Sequence, residues 1–398
     1  MEQGNMKSGE FALTIDTEAC GECIFCVSVC PYEALTIDPE TKKVVLAQDK
    51  CRLCGICYAT CPSALINIEY YNVASLGEHI KKEMGKTGAQ ELTIACRGTG
   101  LTSKTFWKEA SQEDRKNDSI FLGLPCVGRI NINLLLRAVE VGIQKINLIA
   151  CEEDYCRYKD GSRIGHNKFE AAQIILEDMG CSADMIDIQT RAPKVNIDES
   201  RCITCGTCAF LCPYKAIRIE QSARLNKEKC KGCGICVSSC PAIAVSAECF
   251  DFDTTCTEIE AFAKETISPD PKIIVMGCQW SEYRYADEES SSEKDVRFIP
   301  MPCSGRIDVL HILKAFSVGI DGILISMCLD DLCNLENGSK MAQAKITKLS
   351  HQLEKLGLNE RVKICLVHPK YIDMFKDELT VFIQKISELE LSPVGRKV

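Results

Sequence analysis

Sixteen cysteines stand in four runs of a single form, Cys-x2-Cys-x2-Cys-x3-Cys-Pro. The first two are Cys20, Cys23, Cys26, Cys30 before Pro31, and Cys51, Cys54, Cys57, Cys61 before Pro62. The other two are Cys202, Cys205, Cys208, Cys212 before Pro213, and Cys230, Cys233, Cys236, Cys240 before Pro241. Three thiolates on one tight loop reach three irons of a cubane, whereas the fourth ligates the neighbouring cluster. The spacing therefore assigns one [4Fe–4S] cluster to Cys20, Cys23, Cys26 and Cys61, and its neighbour to Cys51, Cys54, Cys57 and Cys30. In the second half the sets are Cys202, Cys205, Cys208 with Cys240, and Cys230, Cys233, Cys236 with Cys212. Zinc favours paired Cys-x2-Cys knuckles rather than a third and fourth cysteine at this spacing.

The elements that position these loops are duplicated. The run from Cys20 returns at Cys202, and Leu124-Pro125-Cys126-Val-Gly128-Arg129-Ile130 returns as Met301-Pro302-Cys303-Ser-Gly305-Arg306-Ile307. Such self-similarity indicates a repeated two-part unit, with segments 11–71, 72–192, 193–248 and 249–398. Short alternating runs, Leu35–Ile37 and Ile217–Ile219, read as small strands beside the cysteine loops.

Aligning the halves pairs eight more cysteines: Cys96, Cys126, Cys151, Cys156 with Cys278, Cys303, Cys328, Cys333. Residues 92–96, 120–126 and 146–151 read as buried strands ending in cysteine, as do 273–278, 296–303 and 323–328. Between the second and third strands lies an apolar helix, with Asn131 and Asp308 as expected N-caps and Gly142 and Gly319 just past the C-terminus. Strand, helix, strand implies a parallel sheet, whose carboxyl edge is where open α/β sheets bind ligands. Four thiolates gathered there can hold a [2Fe–2S] cluster, and helix N-termini at that edge favour thiolates. Ordinary buried cysteines are the competing reading. The unmatched Cys181, Cys249, Cys256 and Cys365 read as core or surface residues.

Residues 11–70 and 193–248 resemble two-cluster bacterial ferredoxins on the strength of the cysteine runs. One departure is Ile24, where the other runs have Gly55, Gly206 and Gly234. The Pro-Cys-x-Gly-Arg-Ile motif, the helix and the Cys-x4-Cys pair resemble the delta subunit of methyl-viologen-reducing hydrogenase, over residues 88–175 and 270–345. That resemblance implies a [2Fe–2S] cluster and electron delivery to the flavoprotein subunit of heterodisulfide reductase-like complexes. It also implies relatives serving hydrogenase, formate dehydrogenase and acyl-CoA reductase assemblies, from anaerobic metabolism. Where that family commonly has histidine after the last cysteine, this chain has Arg157 and Asn334, and Cys96 and Cys278 lack the extra cysteines nearby. The fold class expected is α+β and α/β multidomain: two ferredoxin-like domains alternating with two parallel-sheet α/β domains.

Composition narrows the function classes. Twenty-eight cysteines with a polar N-terminus and no signal-peptide core suit a reducing cytoplasm, with thiolates kept for metal. A formal charge of −9 leaves no basic excess for nucleic acid, and no apolar run is long enough for a membrane span. Asp287–Asp295, rich in Ser and acid, reads as a solvated loop. Arg97-Gly98-Thr99-Gly100 lacks the third glycine of a dinucleotide fingerprint and the Gly-Lys of a P-loop. His311 reads as packed in its apolar helix. Arg129 and Arg306 are candidate cofactor-binding residues, donating toward a cluster sulfur or a partner carboxylate. The expected function is an electron conduit without its own substrate site. The alternatives are substrate chemistry at a sheet-edge cluster, or a docking scaffold with ferredoxin clusters alone.

Overall fold

The computed structural model describes residues 10–101, 119–193, 195–248, 250–265, 270–281 and 295–389. They fall into two compact units that divide between Ala192 and Pro193. Each unit combines short antiparallel pairs with a parallel sheet.

In unit 1, β1 (Leu13–Ile15) pairs antiparallel with β4 (Ile66–Ile68), and β2 (Leu35–Ile37) with β3 (Val44–Leu46). Side chains alternate along each, so Leu13, Leu35, Val44 and Ile66 turn inward. A single turn of helix, α1 (Phe25–Ser28), buries Cys26. Beyond these lie four parallel strands in the order β6 (Ser119–Leu124), β5 (Glu91–Cys96), β7 (Lys145–Cys151), β8 (Ile186–Arg191). Helices α2 (Val73–Thr87), α3 (Ile132–Glu140) and α4 (Gly161–Asp178) accompany the sheet. At the start of α3 the Asn131 Oδ1 accepts the Asn133 N–H at 2.9 Å, satisfying an otherwise orphaned amide. Past its end Gly142 takes φ 111°, a conformation that only glycine adopts at little cost. Leu134, Leu135 and Ala138 then share one core with Leu92, Ile94, Ile146 and Leu148.

Unit 2 follows the same plan. Strand β9 (Val195–Ile197) pairs with β12 (Val245–Ala247), β10 (Ile217–Ile219) with β11 (Ala223–Leu225), and α5 (Thr207–Leu211) carries Cys208. Its parallel sheet runs β14 (Val296–Met301), β13 (Ile273–Cys278), β15 (Gly322–Cys328), β16 (Val362–Val367). Helices α6 (Phe252–Lys264), α7 (Val309–Ser317), α8 (Gly338–Glu354) and α9 (Met374–Glu388) accompany it. Phe375, Leu379, Phe382 and Ile386 of α9 cover the second face of this sheet. The approach is close: a Cβ on Gly322 would stand 2.8 Å from Ile386 Cγ1. The equivalent face of β7 in unit 1 carries Lys145, Asn147 and Ile149, and is only partly covered by described residues.

The expected strands, N-caps and C′ glycines are in place, with one adjustment. β6 and β14 stop at Leu124 and Met301, before Pro125 and Pro302, so Cys126 and Cys303 sit just beyond the strands. A proline has no N–H to give the ladder. His311 is buried in α7 and stacks on Phe252 with ring centroids 4.7 Å apart. Its burial pulls its pKa down to about 3. Cys365 is buried in the core, while Cys181 and Cys256 are partly buried. Cys249, and the Ser- and acid-rich run except Asp295, lie outside the described residues. No described helix is long and apolar enough to cross a membrane.

The packing predicts two graded losses. Leu135→Ala empties a fully buried position and should cost about 2–5 kcal/mol, and Asn131→Ala should cost about 1 kcal/mol. Anaerobic urea denaturation of the two variants should rank them in that order.

Candidate iron–sulfur sites

The loops of the four cysteine runs share an unusual backbone. In each, the residue before the second cysteine is left-handed: Glu22, Leu53, Thr204 and Gly232, with φ between 52° and 62°. The residue after it is left-handed as well: Gly55, Gly206 and Gly234 at 75–80°, and Ile24 at 57°. Ile24 thus takes the glycine conformation at a steric cost, and its side chain points into solvent. Loops of this kind aim successive N–H groups into a concavity that suits an anion. The Leu53 and Gly232 amides donate to Cys51 and Cys230 Sγ at 3.4 Å.

A second turn follows each Cys-Pro. Glu33, Ala64, Lys215 and Ile243 are left-handed, with φ of 48–52°. This places the Ala34, Ala216 and Ala244 N–H groups 3.2–3.3 Å from Cys30, Cys212 and Cys240 Sγ. Sequence reasoning missed these donors. The repeated Cys-Pro-x-x-Ala is the signal that points to them.

The structure brings the crossed sets together. One cavity in unit 2 is lined by Cys202, Cys205, Cys208 and Cys240, and another by Cys212, Cys230, Cys233 and Cys236. Each offers about 320–330 Å³ of space, counting its open mouth. In unit 1, Cys26 lies within the fields of Cys61, Cys23 and Cys20, and Cys57 within those of Cys54, Cys51 and Cys30. Among the described residues no three His, Cys, Asp or Glu side chains converge as they would round a single metal ion. The cysteines ring a space instead, which suits ligands that bond different irons. Burial pushes Cys54 up to about 12, and Cys57 and Cys236 well above the ordinary thiol range. Crowded, buried thiolates repel one another, and a positively charged iron core relieves that penalty.

The sheet-edge quartets are tighter. Cys96 and Cys151 end the neighbouring strands β5 and β7 with their sulfurs 3.1 Å apart, and Cys278 and Cys328 end β13 and β15 at 3.6 Å. Chain connections leave these strands in opposite directions, so a crevice opens at their carboxyl ends. Cys126 feels Cys96 and Cys156, and Cys303 feels Cys278 and Cys333, which places all four sulfurs of each quartet together. Glycines make the room. A Cβ on Gly98 would strike Cys151 Sγ, on Gly161 it would strike Cys126 Sγ, and on Gly338 Cys303 Sγ. Gly161 and Gly338 open α4 and α8, whose first amides face the last cysteine. Ser162 N–H donates to Cys156 Sγ at 3.4 Å. Cys333 is held at about 6, first by the hydrogen bond from Cys328 and then by the Ser339, Leu335 and Gly338 amides. Cys328 is pushed well up by its hydrogen bonds to Cys278 and Cys333 and by burial.

The two kinds of site adjoin within each unit. Cys233 and Ile235 of the inner loop pack in one cluster with Cys303 and Leu335. In unit 1, Cys54 acts on Cys126, and Ile56 lies beside Gly161. The candidate arginines seal this seam. Arg129 donates to Tyr70 O at 2.7 Å and lies across Gly55, where a Cβ would meet its Cβ and Nε at 2.9 Å. Arg306 donates to Phe250 O at 2.8 Å and lies across Gly234 in the same way. Lys168 and Lys345 sit beneath, each giving its ammonium to the Gly128 or Gly305 carbonyl at 2.8 Å. Burial pulls both lysines down to about 8.

Comparison with known proteins agrees with this geometry. The methyl-viologen-reducing hydrogenase delta subunit family matches residues 109–198 and 273–390, together just over half of the chain. Families of 4Fe-4S dicluster domains match residues 19–84 and 195–247. The chain is 30% identical over 209 residues to a ferredoxin:CoB-CoM heterodisulfide reductase subunit of Methanosarcina mazei, covering 51% of this chain and 26% of that protein. It thus spans about a quarter of the length of that relative and of its Methanosarcina acetivorans counterpart. It is 36% identical over 98 residues to an F420-non-reducing hydrogenase vhc iron-sulfur subunit of Methanococcus voltae, covering 23% of this chain and 68% of that one. An uncharacterized ferredoxin of Methanocaldococcus jannaschii is 40% identical over 60 residues, covering 15% of this chain and 95% of that protein. Parallel sheets with cysteines at their carboxyl edge, joined to 4Fe-4S dicluster domains, place this chain in the methyl-viologen-reducing hydrogenase delta-subunit family.

Proposed function

We propose that the chain is an electron-transfer subunit of a hydrogenase or heterodisulfide reductase-type complex, carrying four [4Fe–4S] and two [2Fe–2S] clusters. The observation that carries the reading is the packing of Cys233 against Cys303, because it puts a cubane set and a sheet-edge quartet side by side. Bound clusters take up and release single electrons. The chain's own part is to hold them close, exclude water and aim amides at their sulfurs. The sixteen cysteines of the four runs are the cubane ligands in crossed sets, and the two sheet-edge quartets are the binuclear ligands. Arg129 and Arg306 back the inner cubanes from across the seam. The partner at one end is a heterodisulfide reductase-like flavoprotein subunit, and at the other a hydrogenase, formate dehydrogenase or acyl-CoA reductase subunit. Support for these partners comes from the relatives' names. Substrate chemistry is assigned to the partners, with this chain as the conduit in the cytoplasm.

Iron and sulfide analysis tests the assignment. Anaerobically purified protein should hold about sixteen irons in cubanes and about four in binuclear clusters. A cubane spectrum alone, with no binuclear signal, would reject the sheet-edge sites. Cys303→Ala should remove one binuclear signal and keep the cubanes, while Cys181→Ala should keep every signal.

The glycines give a second, independent test. Gly338→Ala puts a methyl group against Cys303 Sγ and should abolish or distort the unit 2 binuclear signal. Gly85→Ala, in α2 with open space around it, should leave all spectra unchanged and stabilise the helix by about 0.5–1 kcal/mol. Equal spectra for the two variants would refute the close sulfur approach.

A further inference from the structure

The two units surround matching cysteines with different charge. Arg129 and Arg306 are shared, as are Lys168 and Lys345, and Arg52 has Lys231 as its counterpart. Three other positions change. Arg97, 2% exposed and bonded to the Tyr71 hydroxyl, stands where unit 2 has the buried Gln279. Arg157, whose charge acts on Cys96, is replaced by Asn334. Lys159, whose ammonium sits 2.6 Å from Pro31 O and over the Tyr32 ring, is replaced by Glu336 in the same left-handed backbone. The helix caps shift in the same sense. Asn72 and Asn131 of unit 1 correspond to Asp251 and Asp308, and both carboxylates act on Arg306. Three carboxylates oppose the trend, Glu33, Glu152 and Asp160, where unit 2 has Lys215, Leu329 and Asn337. All three are exposed, as is Lys215, so solvent screens them, and Asp160 is paired with Arg163.

Adding one electron to a buried cluster adds one negative charge, which neighbouring cations stabilise and carboxylates oppose. We propose that these replacements build a potential step: the inner cubane and sheet-edge cluster of unit 1 are reduced at higher potential than those of unit 2. The step rests on the cluster assignment above. At equilibrium with a common external electron donor, the unit 1 centres therefore fill first. Each reduction takes one electron from that donor, which is oxidised by one, and adds it to one centre, with no bond or proton change in the chain. Arg97, buried, and Arg157, partly buried, act as the positioning charges for this step, while Lys159 and its counterpart Glu336 are exposed and contribute less.

Anaerobic potentiometric titration of the full chain, with dithionite as reductant and followed by electron paramagnetic resonance, tests the step. The native chain should show two separated populations of centres. The variant Arg97→Gln, Arg157→Asn, Lys159→Glu installs the unit 2 residues in unit 1, and should lower the higher population alone. Asn334→Arg with Glu336→Lys, on a loop only partly buried, should raise the lower population alone and decides the matter if the triple variant does not fold. A single population in the native chain would overturn the proposal. So would a higher population that moves with the unit 2 substitutions, or populations that move with neither. Iron content measured on the same samples separates this from the cluster assignment. Missing binuclear iron rejects the quartets, whereas the inner cubanes still report whether the step exists.

Discussion

One contact organises each unit: a buried arginine from the sheet edge lying flat across a glycine of the inner cysteine loop. Arg129 on Gly55 and Arg306 on Gly234 leave no space for a Cβ, and the positive φ of both glycines disfavours any other residue. The guanidinium also caps a backbone carbonyl at the end of the small domain, Tyr70 or Phe250. A charged group this deeply buried is costly unless its donors are used. Its hydrogen bonds and its place beside the cysteine sulfurs, at the seam between the two folds, offset part of that cost, although burial still pulls Arg306 below the usual guanidinium range. The closeness of Cys54 to Cys126, and of Cys233 to Cys303, depends on this seam.

Much of this was legible in the residues. Cysteine spacing anticipated the crossed sets, because loop length forbids the fourth thiolate from reaching its own cube. Apolar runs ending in cysteine located the strands, and Asn131, Asp308, Gly142 and Gly319 marked the helix ends. Less legible was anything that pairs residues far apart in the chain. The sequence shows Gly55 and Arg129 but not that they touch. It shows Ile24 as a departure, whereas the structure finds it adopting the glycine backbone with its side chain turned outward. Proline chemistry also shortened two strands that apolar pattern alone had extended to Cys126 and Cys303.

The duplication separates what the architecture requires from what it tolerates. Ser162 and Ser339 both donate their hydroxyls to the carbonyl of the cysteine ending the third strand, Cys151 or Cys328. Lys168 and Lys345 repeat the same carbonyl contact, and the left-handed turns recur loop by loop. Away from the sulfurs and the seam the copies differ in architecture as well as in charge. Unit 2 covers the second face of its sheet with α9, while unit 1 leaves Lys145 and Asn147 there. Covering both faces requires the near-continuous apolar strands seen in Ile273–Cys278.

The crossing of the fourth cysteine has a consequence for biogenesis. Of the proposed cubane sets in unit 1, one runs from Cys20 to Cys61 and the other lies inside it from Cys30 to Cys57, so a core bound to the first would close most of the small domain into a loop. Closing that loop is an entropic cost that grows slowly with length. Once it is met, Cys30 and the run from Cys51 are already held near one another, and the second insertion orders far less chain. Binding at the two proposed sets would therefore be coupled rather than independent.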